Sequence, residues 1–331
     1  MTINTVAVVA PGDMGHALAM RLHKDGNLRV ITNLDGRSGR SKTLAAAAGL
    51  EDVGDDRRLV EQADAFLSVV PPGRAILVAR RFAKAIKAAG KNLLYADLNA
   101  ISPTTAHRID ALVTGAGGRF IDGGIVGGAP VDGAALPRIL LSGPAADELL
   151  PLNDKGLAFF KIGDRPGQAS ALKICFASIS KGLMGLGVLA FVSARVMGVD
   201  EALRKEMERG NLMPGFLKRF PDVGPNAYRW AEEMDQIAET FAKAGMTPKV
   251  FAGMADLYRF VESTPLGKET PENVVLGATM DKVVAGLAEA ARTRQPKVRR
   301  PVKKTSAKRT SKAKTSATHK APRKGRRKTK R

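Results

Sequence analysis

Short apolar runs alternate with helical patterns through the first half of the chain. The apolar runs predict strands at Thr5–Val9, Leu28–Thr32, Ala65–Val70, Leu93–Leu98, Phe120–Asp122, Arg138–Ser142 and Phe159–Ile162. Helical patterns lie between several of them, the clearest at Arg74–Ala89. This alternation indicates an α/β fold, a doubly wound parallel sheet with helices on both faces.

After Gly167 the strand pattern stops and only helical patterns follow. They cover residues 167–198, 200–209, 226–244, 248–263 and 274–291. The change falls near 163–167, where glycine and proline interrupt the chain. We therefore predict an α/β domain over 1–165, an all-helical domain over 166–291, and a separate tail over 292–331.

One apolar stretch, Gly182–Val199, approaches the length of a membrane span. Arg195 interrupts it, and we predict a buried core helix there instead. The first residues lack the basic leader, the long apolar run and the cleavage site of a signal peptide. A single cysteine, Cys175, excludes a disulfide-rich secreted module. We predict a cytoplasmic protein without a membrane partner, in which Cys175 is a buried thiol.

The charge is distributed unevenly along the chain. The 331 residues include 53 Lys and Arg against 32 Asp and Glu, a net charge of +21. Residues 291–331 hold 19 of the basic residues and no acidic one, which leaves a net charge of +2 for residues 1–290. The body is therefore close to neutral, and its function has to be inferred from its own motifs.

The basic tail, residues 292–331, has neither an aromatic nor an acidic residue. Such a segment cannot bury enough apolar area to offset the entropy of ordering it, so we predict a disordered tail. Lysine and arginine at this density bind phosphate backbones without sequence specificity. Nucleic acid or another polyanion is thus a predicted partner of the tail; a solubilising extension without a partner is the alternative.

The turn after the first strand carries the most informative local motif. In the dinucleotide fingerprint G-x-G-x-x-G, the second glycine lets the backbone approach a pyrophosphate and the third lets helix and strand pack closely. A strand before the turn and a helix after it provide the context that the motif requires. We predict a Rossmann domain whose cofactor-binding turn is Ala10-Pro11-Gly12-Asp13-Met14-Gly15, with Ala10 in place of the first glycine.

The end of the second strand bears on the choice between NAD and NADP. An acidic residue there binds the ribose hydroxyls of NAD, whereas this chain has the uncharged Asn33. Arg37, Ser38 and Arg40 follow in a glycine-flanked loop that is suited to a phosphate group. Asp35 is the contrary signal, because its carboxylate could serve NAD. The pattern favours NADP and leaves NAD open.

Five motifs in order resemble the β-hydroxyacid dehydrogenases, which include 6-phosphogluconate and 3-hydroxyisobutyrate dehydrogenases. The resemblance covers roughly residues 4–200. The motifs are the turn at 10–15, Val69-Val70-Pro71-Pro72, the segment from Asp97 through Asn99 to Pro103, the segment Asp122-Gly123-Gly124-Ile125-Val126-Gly127-Gly128, and Gly167-Gln168-Ala169-Ser170-Ala171-Leu172-Lys173. The phrases LDGRS and LKICFASISKG resemble the branch whose C-terminal domain is known as DUF1932.

The resemblance implies an NAD(P)-dependent dehydrogenase that acts on the CH–OH group of a small hydroxyacid or sugar acid. It implies that residues 166–291 form a 6-phosphogluconate dehydrogenase-like helical domain for substrate binding and dimerisation, so that the protein is a homodimer. It also implies Lys173 as the general acid/base. A lysine can accept a hydroxyl proton if burial lowers its pKa towards neutrality. The cofactor contacts would include Val70, Pro71, Pro72 and Asn99.

Departures from the family pattern leave substrate recognition open. Ala177 stands where the family has an asparagine, one turn after the lysine, and Val126 stands where it has a substrate-binding serine. Asn99 replaces the serine of the third motif but can still donate and accept hydrogen bonds. The candidate substrate-binding residues are Asn99, Val126, Gly127, Gly128, Lys173, Ala177 and Lys181, of which Lys181 could bind a carboxylate or phosphate or could simply be solvated.

Other chemistries find little support in the sequence. The histidines His16, His23, His107 and His319 lack the spacing of metal ligands, so no metal site is predicted. Tyr228 and Trp230 are expected to pack within the helical domain. Two alternatives to the dehydrogenase remain: a nucleic-acid-associated protein with a degenerate, cofactor-sensing Rossmann body, and an imine reductase-like enzyme, against which the retained Lys173 argues.

Overall fold

An eight-stranded sheet occupies the first half of the protein, and helices form the second half. The computed structural model describes residues 2–130, 135–210, 215 and 217–294. The strands are β1 Thr5–Val9, β2 Arg29–Thr32, β3 Glu51–Asp52, β4 Ala65–Ser68, β5 Leu94–Asp97, β6 Arg119–Val126, β7 Arg138–Ser142 and β8 Phe159–Gly163. Their order in the sheet is β3-β2-β1-β4-β5-β6-β7-β8.

The helices of the described residues fall into two groups. Those that connect the strands are α1 Asp13–Lys24, α2 Gly39–Ala47, α3 Asp56–Gln62, α4 Ala75–Ala89 and α5 Pro103–Thr114. Those that follow the sheet are α6 Gln168–Met197, α7 Asp200–Arg209, α8 Val223–Lys243, α9 Lys249–Glu262 and α10 Met280–Arg294. Short 3₁₀ turns lie at Pro72–Arg74, Ala146–Lys155, Leu217–Asp222 and Pro265–Lys268.

The predicted Rossmann sheet followed by a helical region is confirmed, with one difference in strand direction. All neighbouring strands run parallel except β6 and β7, which pair antiparallel. The alternating apolar runs therefore predicted where these strands lie but not the direction of β7. The β3 strand and helices α2, α3 and α5 were not predicted, although local capping marks all three helices: Ser38, Asp55 and Ser102 each accept a backbone N–H of the first turn.

Alternate residues of β1 belong to two apolar clusters on opposite faces of the sheet. Val6 and Val8 pack with the α1 side, whereas Ala7 and Val9 pack with the side of α3, α4 and α5. A third cluster joins the helices after the sheet and includes the buried Trp230. Tyr228 differs from the prediction because it lies on the exposed side of α8.

Helix α8 packs against both halves of the fold, which form one compact unit up to Thr293. A side-chain oxygen of Glu232 accepts the backbone N–H of Gly73, which follows β4. Gln236 accepts the backbone N–H of Ser102 at the start of α5, at 2.9 Å. These contacts place α8 along the carboxyl ends of the central strands.

The long helix α6 has two different faces. By length and composition it is apolar enough to cross a membrane, and 44% of its most apolar window is buried within the fold. Its other face exposes a run of large apolar side chains together with Cys175. The prediction of a buried thiol is therefore wrong, because Cys175 lies on the same outward side as its neighbour Phe176.

Helix α10 begins later and ends later than its sequence pattern predicts. The segment before it is a loop organised by Glu269, whose carboxylate accepts the backbone N–H groups of Val275, Leu276 and Gly277. These hydrogen bonds give the backbone N–H groups of the loop an acceptor without a helix. Residues 295–331, which hold most of the predicted basic tail, lie outside the described residues.

Candidate active site

The predicted motifs meet at one edge of the sheet because neighbouring parallel strands end side by side. Val9 pairs with Ser68, Ser68 with Asp97, and Asp97 with Asp122. The order of strands reverses between β1 and β4, which is the point where Rossmann folds bind their ligands. The glycine turn, the Val-Pro-Pro turn, Asn99 and the segment after Asp122 therefore all begin at this edge.

The glycine turn has the geometry that a pyrophosphate requires. A Cβ on Gly15 would lie 2.0 Å from the carbonyl oxygen of Ala10, so only glycine fits where α1 passes the turn. A Cβ on Gly12, in contrast, would meet no atom within 4 Å. Gly12 caps α1 without a side-chain bond, which leaves the first N–H groups of the helix for an anion. The turn thus fits a dinucleotide despite Ala10.

The loop after β2 collects charges around Asp56. Asn33 is buried, donates to Asp56 at 2.8 Å and accepts the backbone N–H of Asp35 at 2.9 Å. Arg81, on α4, forms an ion pair with the same Asp56. Burial, followed by the positive charge of Arg81, lowers the pKa of the Arg37 guanidinium. Arg37 and Arg81 are therefore neighbours at the place where a 2′-phosphate would bind.

Two other residues of this loop have structural partners. Ser38 caps α2 by accepting the backbone N–H of Ser41 at 3.2 Å. Arg40 forms ion pairs with Asp13 in the glycine turn and with Glu272 in the loop before α10. Arg40 thereby ties the cofactor turn to the helical half of the protein.

Asn99 is a buried connector between β4 and β5. Its side-chain oxygen accepts the backbone N–H of Val70 at 2.6 Å, and its amide donates to Ser68 and Asp97 at 3.1 and 2.9 Å. Both amide hydrogens therefore have partners within the protein. Asn99 fixes the Val70-Pro71-Pro72 turn, which Glu232 of α8 holds from the other side at Gly73.

Asp122 holds the start of α6. Its carboxylate accepts the hydroxyl groups of Ser142 and Ser170, at 2.9 and 2.5 Å, and the backbone N–H groups of Gly167 and Ser170, at 2.9 and 3.0 Å. Burial raises the pKa of Asp122, while these four hydrogen bonds oppose the rise. They satisfy N–H groups at the helix start that would otherwise be unpaired, and they orient the helix that carries Lys173.

Lys173 is buried where α6 crosses β6. Its residue surface is only 9% exposed. A Cβ on Gly124 would lie 2.9 Å from the Cβ of Lys173, so the glycine allows the helix to approach the strand. Burial, and then the positive charges of Lys181 and Arg229, lower the pKa of Lys173 to about 8, while Glu233 opposes them. Both protonation states of the amine are therefore accessible near neutral pH.

Lys181 lies two turns further along α6 and has a buried partner. Its Nζ is 2.6 Å from Oε2 of Glu233 on α8, and the two side chains are 13% and 4% exposed. Burial acts to raise the pKa of Glu233, but the charges of Lys181, Lys173 and Arg229 outweigh it and lower that pKa. We call Lys173, Lys181, Arg229 and Glu233 the lysine cluster.

The remaining predicted substrate-binding residues lie on α6 and at the end of β6. Ala177 is fully buried on α6, one turn from Lys173. Val126 ends β6 and is partly buried. Gly127 has φ +127, a conformation that favours glycine, and a Cβ on Gly128 would meet no atom within 4 Å. The structure thus brings Gly124 of β6 and Lys173 together, and it gives Lys181 a protein carboxylate as its partner.

Four contributors were missed by sequence reasoning. Arg81, Arg229, Glu232 and Glu233 lie far along the chain from the motifs they approach, and each is one charged residue among several on an amphipathic helix. The chain carried no local signal for them, because a helical pattern does not reveal which turn will face the site. In the described ranges, no group of three or more His, Cys, Asp or Glu side chains is arranged to hold a metal ion.

Two families of known proteins match successive parts of this chain. Residues 5–147 match the NAD binding domain of 6-phosphogluconate dehydrogenase, and residues 194–261 match the domain of unknown function DUF1932. An uncharacterised 28.5 kDa protein of Methanothermus fervidus is 25% identical over 260 residues, which is 78% of this chain and 98% of that protein.

Solved structures share the fold. The 3-hydroxyisobutyrate dehydrogenase of Salmonella typhimurium superposes with a TM-score of 0.65 at 19% identity, over 85% of this chain and 99% of that one. An imine reductase variant of Myxococcus stipitatus, solved with NAD+, gives a TM-score of 0.50 at 17% identity, over 87% of this chain and 99% of that one.

The Rossmann sheet, with the predicted motifs at one edge, and the match of residues 5–147 together define the class of protein. It binds a nicotinamide cofactor and belongs among the NAD(P)-dependent oxidoreductases. Within that class, the resemblance to the β-hydroxyacid dehydrogenases is confirmed. The chain joins the NAD-binding domain of the 6-phosphogluconate dehydrogenase family to a DUF1932 domain.

Proposed function

We propose that this protein is a dehydrogenase for a small hydroxyacid or sugar acid, that it uses NADP in preference to NAD, and that Lys173 is its general acid/base. The observation that carries the proposal is Lys173 itself, a buried amine whose pKa is lowered to about 8. It lies against β6, beside the strand edge from which the glycine turn begins.

The residues of the chain divide the work as follows. A nicotinamide cofactor supplies or accepts the hydride. The neutral amine of Lys173 accepts the hydroxyl proton when the alcohol is oxidised, and the ammonium form returns it when the carbonyl is reduced. The backbone at Gly128, next to Gly127, is open to an anionic or carbonyl oxygen of the substrate, because a Cβ there would meet no atom within 4 Å. Residues 1–165 would bind the cofactor, and residues 166–291 would complete the substrate site.

The charges beyond β2 support NADP. Arg37 and Arg81 present two guanidinium groups near Asn33, where NAD-dependent enzymes have an acidic residue. Arg side chains bind phosphate through paired N–H groups. Asp35 and Asp56 oppose this reading, because their negative charges, which act on Arg81 and raise its pKa, would repel a phosphate. Asp56, however, is already paired with Arg81 and Asn33.

A second copy of the chain would cover the exposed face of α6. Successive residues of a helix are about 100° apart, which places Leu172, Phe176, Ile179, Leu186 and Met197 within about 80° of arc. All five side chains are more than 40% exposed. A stripe that runs along 30 residues of helix is the kind of apolar surface that a homodimer buries. We expect Phe176→Glu with Ile179→Glu to convert the dimer to a monomer in light scattering, and an unchanged mass would count against it.

The experiment that tests the function is a substrate screen with a matched variant. Hydroxyacids and sugar acids, phosphorylated and not, are offered with NAD and NADP to the wild type and to Lys173→Ala. We expect turnover by the wild type only, while Lys173→Ala binds NADPH with unchanged affinity by fluorescence titration. Full activity in Lys173→Ala would overturn the proposed role of the lysine.

The tail supports a second, separate activity. Its 19 basic residues over 291–331, with no acidic residue, favour nonspecific binding of nucleic acid. A truncation for this test should end after Arg294, because Val283, Val284 and Leu287 of α10 are buried in the body. Loss of DNA binding with retained dehydrogenase activity is expected, and binding that survives the truncation would locate it in the body.

An imine reductase is the remaining alternative, and the same fold supports it. The retained Lys173 favours a dehydrogenase that acts on an alcohol. Adding cyclic imines with NADPH to the screen separates the two, since imine reduction without any hydroxyacid turnover would favour the alternative. The protein has a single cysteine and a Rossmann fold, and we propose that it is a cytoplasmic enzyme.

A further inference from the structure

The buried pair of Lys181 and Glu233 has no role in the proton transfer described above, and its cost needs a reason. Taking two charges out of water costs several kcal/mol per ion, which their attraction repays only in part. Apolar residues of similar size would pack the same space at no such cost. The pair therefore contributes little to stability that could not be obtained otherwise, and its charges point to a different use.

Three elements hold the pair in one arrangement. Tyr258 of α9 donates its hydroxyl group to the backbone oxygen of Lys181 at 2.7 Å. The ring of Tyr258 packs edge-on against Trp230 of α8, with 5.3 Å between centroids. Trp230 lies one turn before Glu233 on the same helix, so the backbone of each partner in the pair is fixed by the same aromatic contact.

The position of the pair relative to Lys173 is also specific. Ala177 lies midway on α6 between Lys173 and Lys181, one turn from each, where the family has an amide side chain. The small alanine is fully buried and carries no polar group. The charged side chains that act electrostatically on Lys173 are Lys181, Glu233 and Arg229.

We propose that Glu233 is a positioning residue for Lys173: paired with Lys181, it fixes the balance of charge in which the Lys173 amine takes up and releases its proton. This proposal deepens the proposed function and rests on it, because it concerns the same amine. Glu233 also neutralises Lys181, so the substrate anion is received elsewhere, at the backbone after β6 near Gly128 or at Arg229.

Other ionisable groups on elements packed against α6 are engaged away from the pair. On α8 and α9, Asp235 and Asp256 pair with Arg259, and Glu232 accepts the backbone N–H of Gly73. Others lie at the two ends of α6. At its start, Asp122 of β6 accepts four hydrogen bonds and His107 of α5 lies against Gly167; at its end, Asp200 of α7 pairs with Arg195. Of the groups that act on Lys173, Glu233 is the one that raises its pKa, and Lys181 and Arg229 lower it.

The test measures the protonation of Lys173 without relying on turnover. The full-length wild type, Glu233→Gln, Lys181→Met and the double variant are labelled with acetic anhydride over a pH series centred on about 8. Mass spectrometry of the Lys173 peptide gives the midpoint. We expect the midpoint to fall by about 1 pH unit in Glu233→Gln, to rise by a similar amount in Lys181→Met, and to return close to the wild type in the double variant.

Controls separate a charge effect from a loss of structure. Glu239→Gln makes the same change two turns along α8, at an exposed pair with Lys243, and should leave the midpoint unchanged. Glu233→Asp should keep it within about 0.3 pH unit of the wild type. If Glu233→Gln does not fold, Lys181→Met and the double variant still show in which direction the Lys173 midpoint moves.

Midpoints that stay fixed, or that move in the same direction in both single variants, would overturn the proposal. The two hypotheses fail differently in this experiment. Opposite shifts in a protein that turns over no hydroxyacid would reject the dehydrogenase function while retaining the electrostatic pair. Turnover without any shift would reject the pair and retain the dehydrogenase.

Discussion

The cofactor turn and the lysine cluster lie at the same edge of the sheet, but the chain builds them in different ways. The turn is six consecutive residues, and its essential feature is one close approach, Gly15 against the oxygen of Ala10. The cluster joins α6 to α8 through Lys181 and Glu233, which are 52 positions apart in the chain, and it depends on burial and charge. A continuous turn can be recognised from its letters, whereas a cluster has to be seen in three dimensions.

The close approach in the cofactor turn leaves no room for a side chain at Gly15. Gly15→Ala would place a Cβ 2.0 Å from the Ala10 oxygen. We expect NADPH affinity to fall at least about 1,000-fold, about 4 kcal/mol, and the melting temperature to drop, as measured by fluorescence titration and thermal unfolding.

Gly12→Ala is the matched control for that prediction, because its Cβ would meet no protein atom within 4 Å. It should melt at the wild-type temperature and still lose cofactor affinity, since the added methyl group occupies the approach to the pyrophosphate. Unchanged NADPH binding by Gly12→Ala would mean that the cofactor does not use this turn.

A smaller effect is expected at Asp122, which holds the start of α6 and so positions the lysine cluster. Asp122→Ala leaves two backbone N–H groups and two hydroxyl groups at the start of α6 without their acceptor. We expect unfolding in urea to cost about 3 kcal/mol less, with a matching loss of turnover because Lys173 is no longer oriented. Asp122→Asn, which keeps one acceptor oxygen, should lie between; equal stability of all three proteins would contradict the anchoring role.

The pH dependence of the free energy of unfolding tests Asp97, which is buried at the end of β5 between the cofactor turn and the lysine cluster. Burial raises the pKa of Asp97 to about 7, above its ordinary value of 3.8. The folded state therefore holds this proton more tightly than the unfolded state, so the contribution of Asp97 to stability is lost as pH rises from about 4 to about 7. Asp97→Asn should be more stable than the wild type above pH 7, by about 2 kcal/mol in urea titrations, and a decrease there would contradict this.

The smallest effect concerns cofactor choice. Arg37→Gln should raise the KM for NADP about tenfold, about 1.4 kcal/mol, and leave the KM for NAD nearly unchanged, because only NADP carries the 2′-phosphate. Arg57→Gln, which removes an exposed guanidinium paired with Glu61, is the control and should alter neither constant. Equal changes for both cofactors in Arg37→Gln would reject the phosphate contact.

The sequence predicted the sheet, the cofactor turn and Lys173 because each depends on local pattern or on one residue within a motif. It did not predict the antiparallel β7, whose run of apolar residues resembles that of a parallel strand. It also did not predict Glu233 or Arg81, because the partner of a charge is decided by how helices pack. Cys175 was assigned to the interior for the same reason: an apolar neighbourhood in sequence does not distinguish a core face from an exposed apolar face.

Chemical rescue of Lys173→Ala with small primary amines tests the role of Lys173 itself, with kcat/KM measured for the hydroxyacid found in the screen. We predict a loss of about 100-fold or more, as expected when a general acid/base is removed. Added methylamine or ethylamine should restore part of the rate, in proportion to the free amine and with a dependence on its pKa. Turnover by Lys173→Ala within tenfold of the wild type, without any response to amines, would contradict the assignment of Lys173.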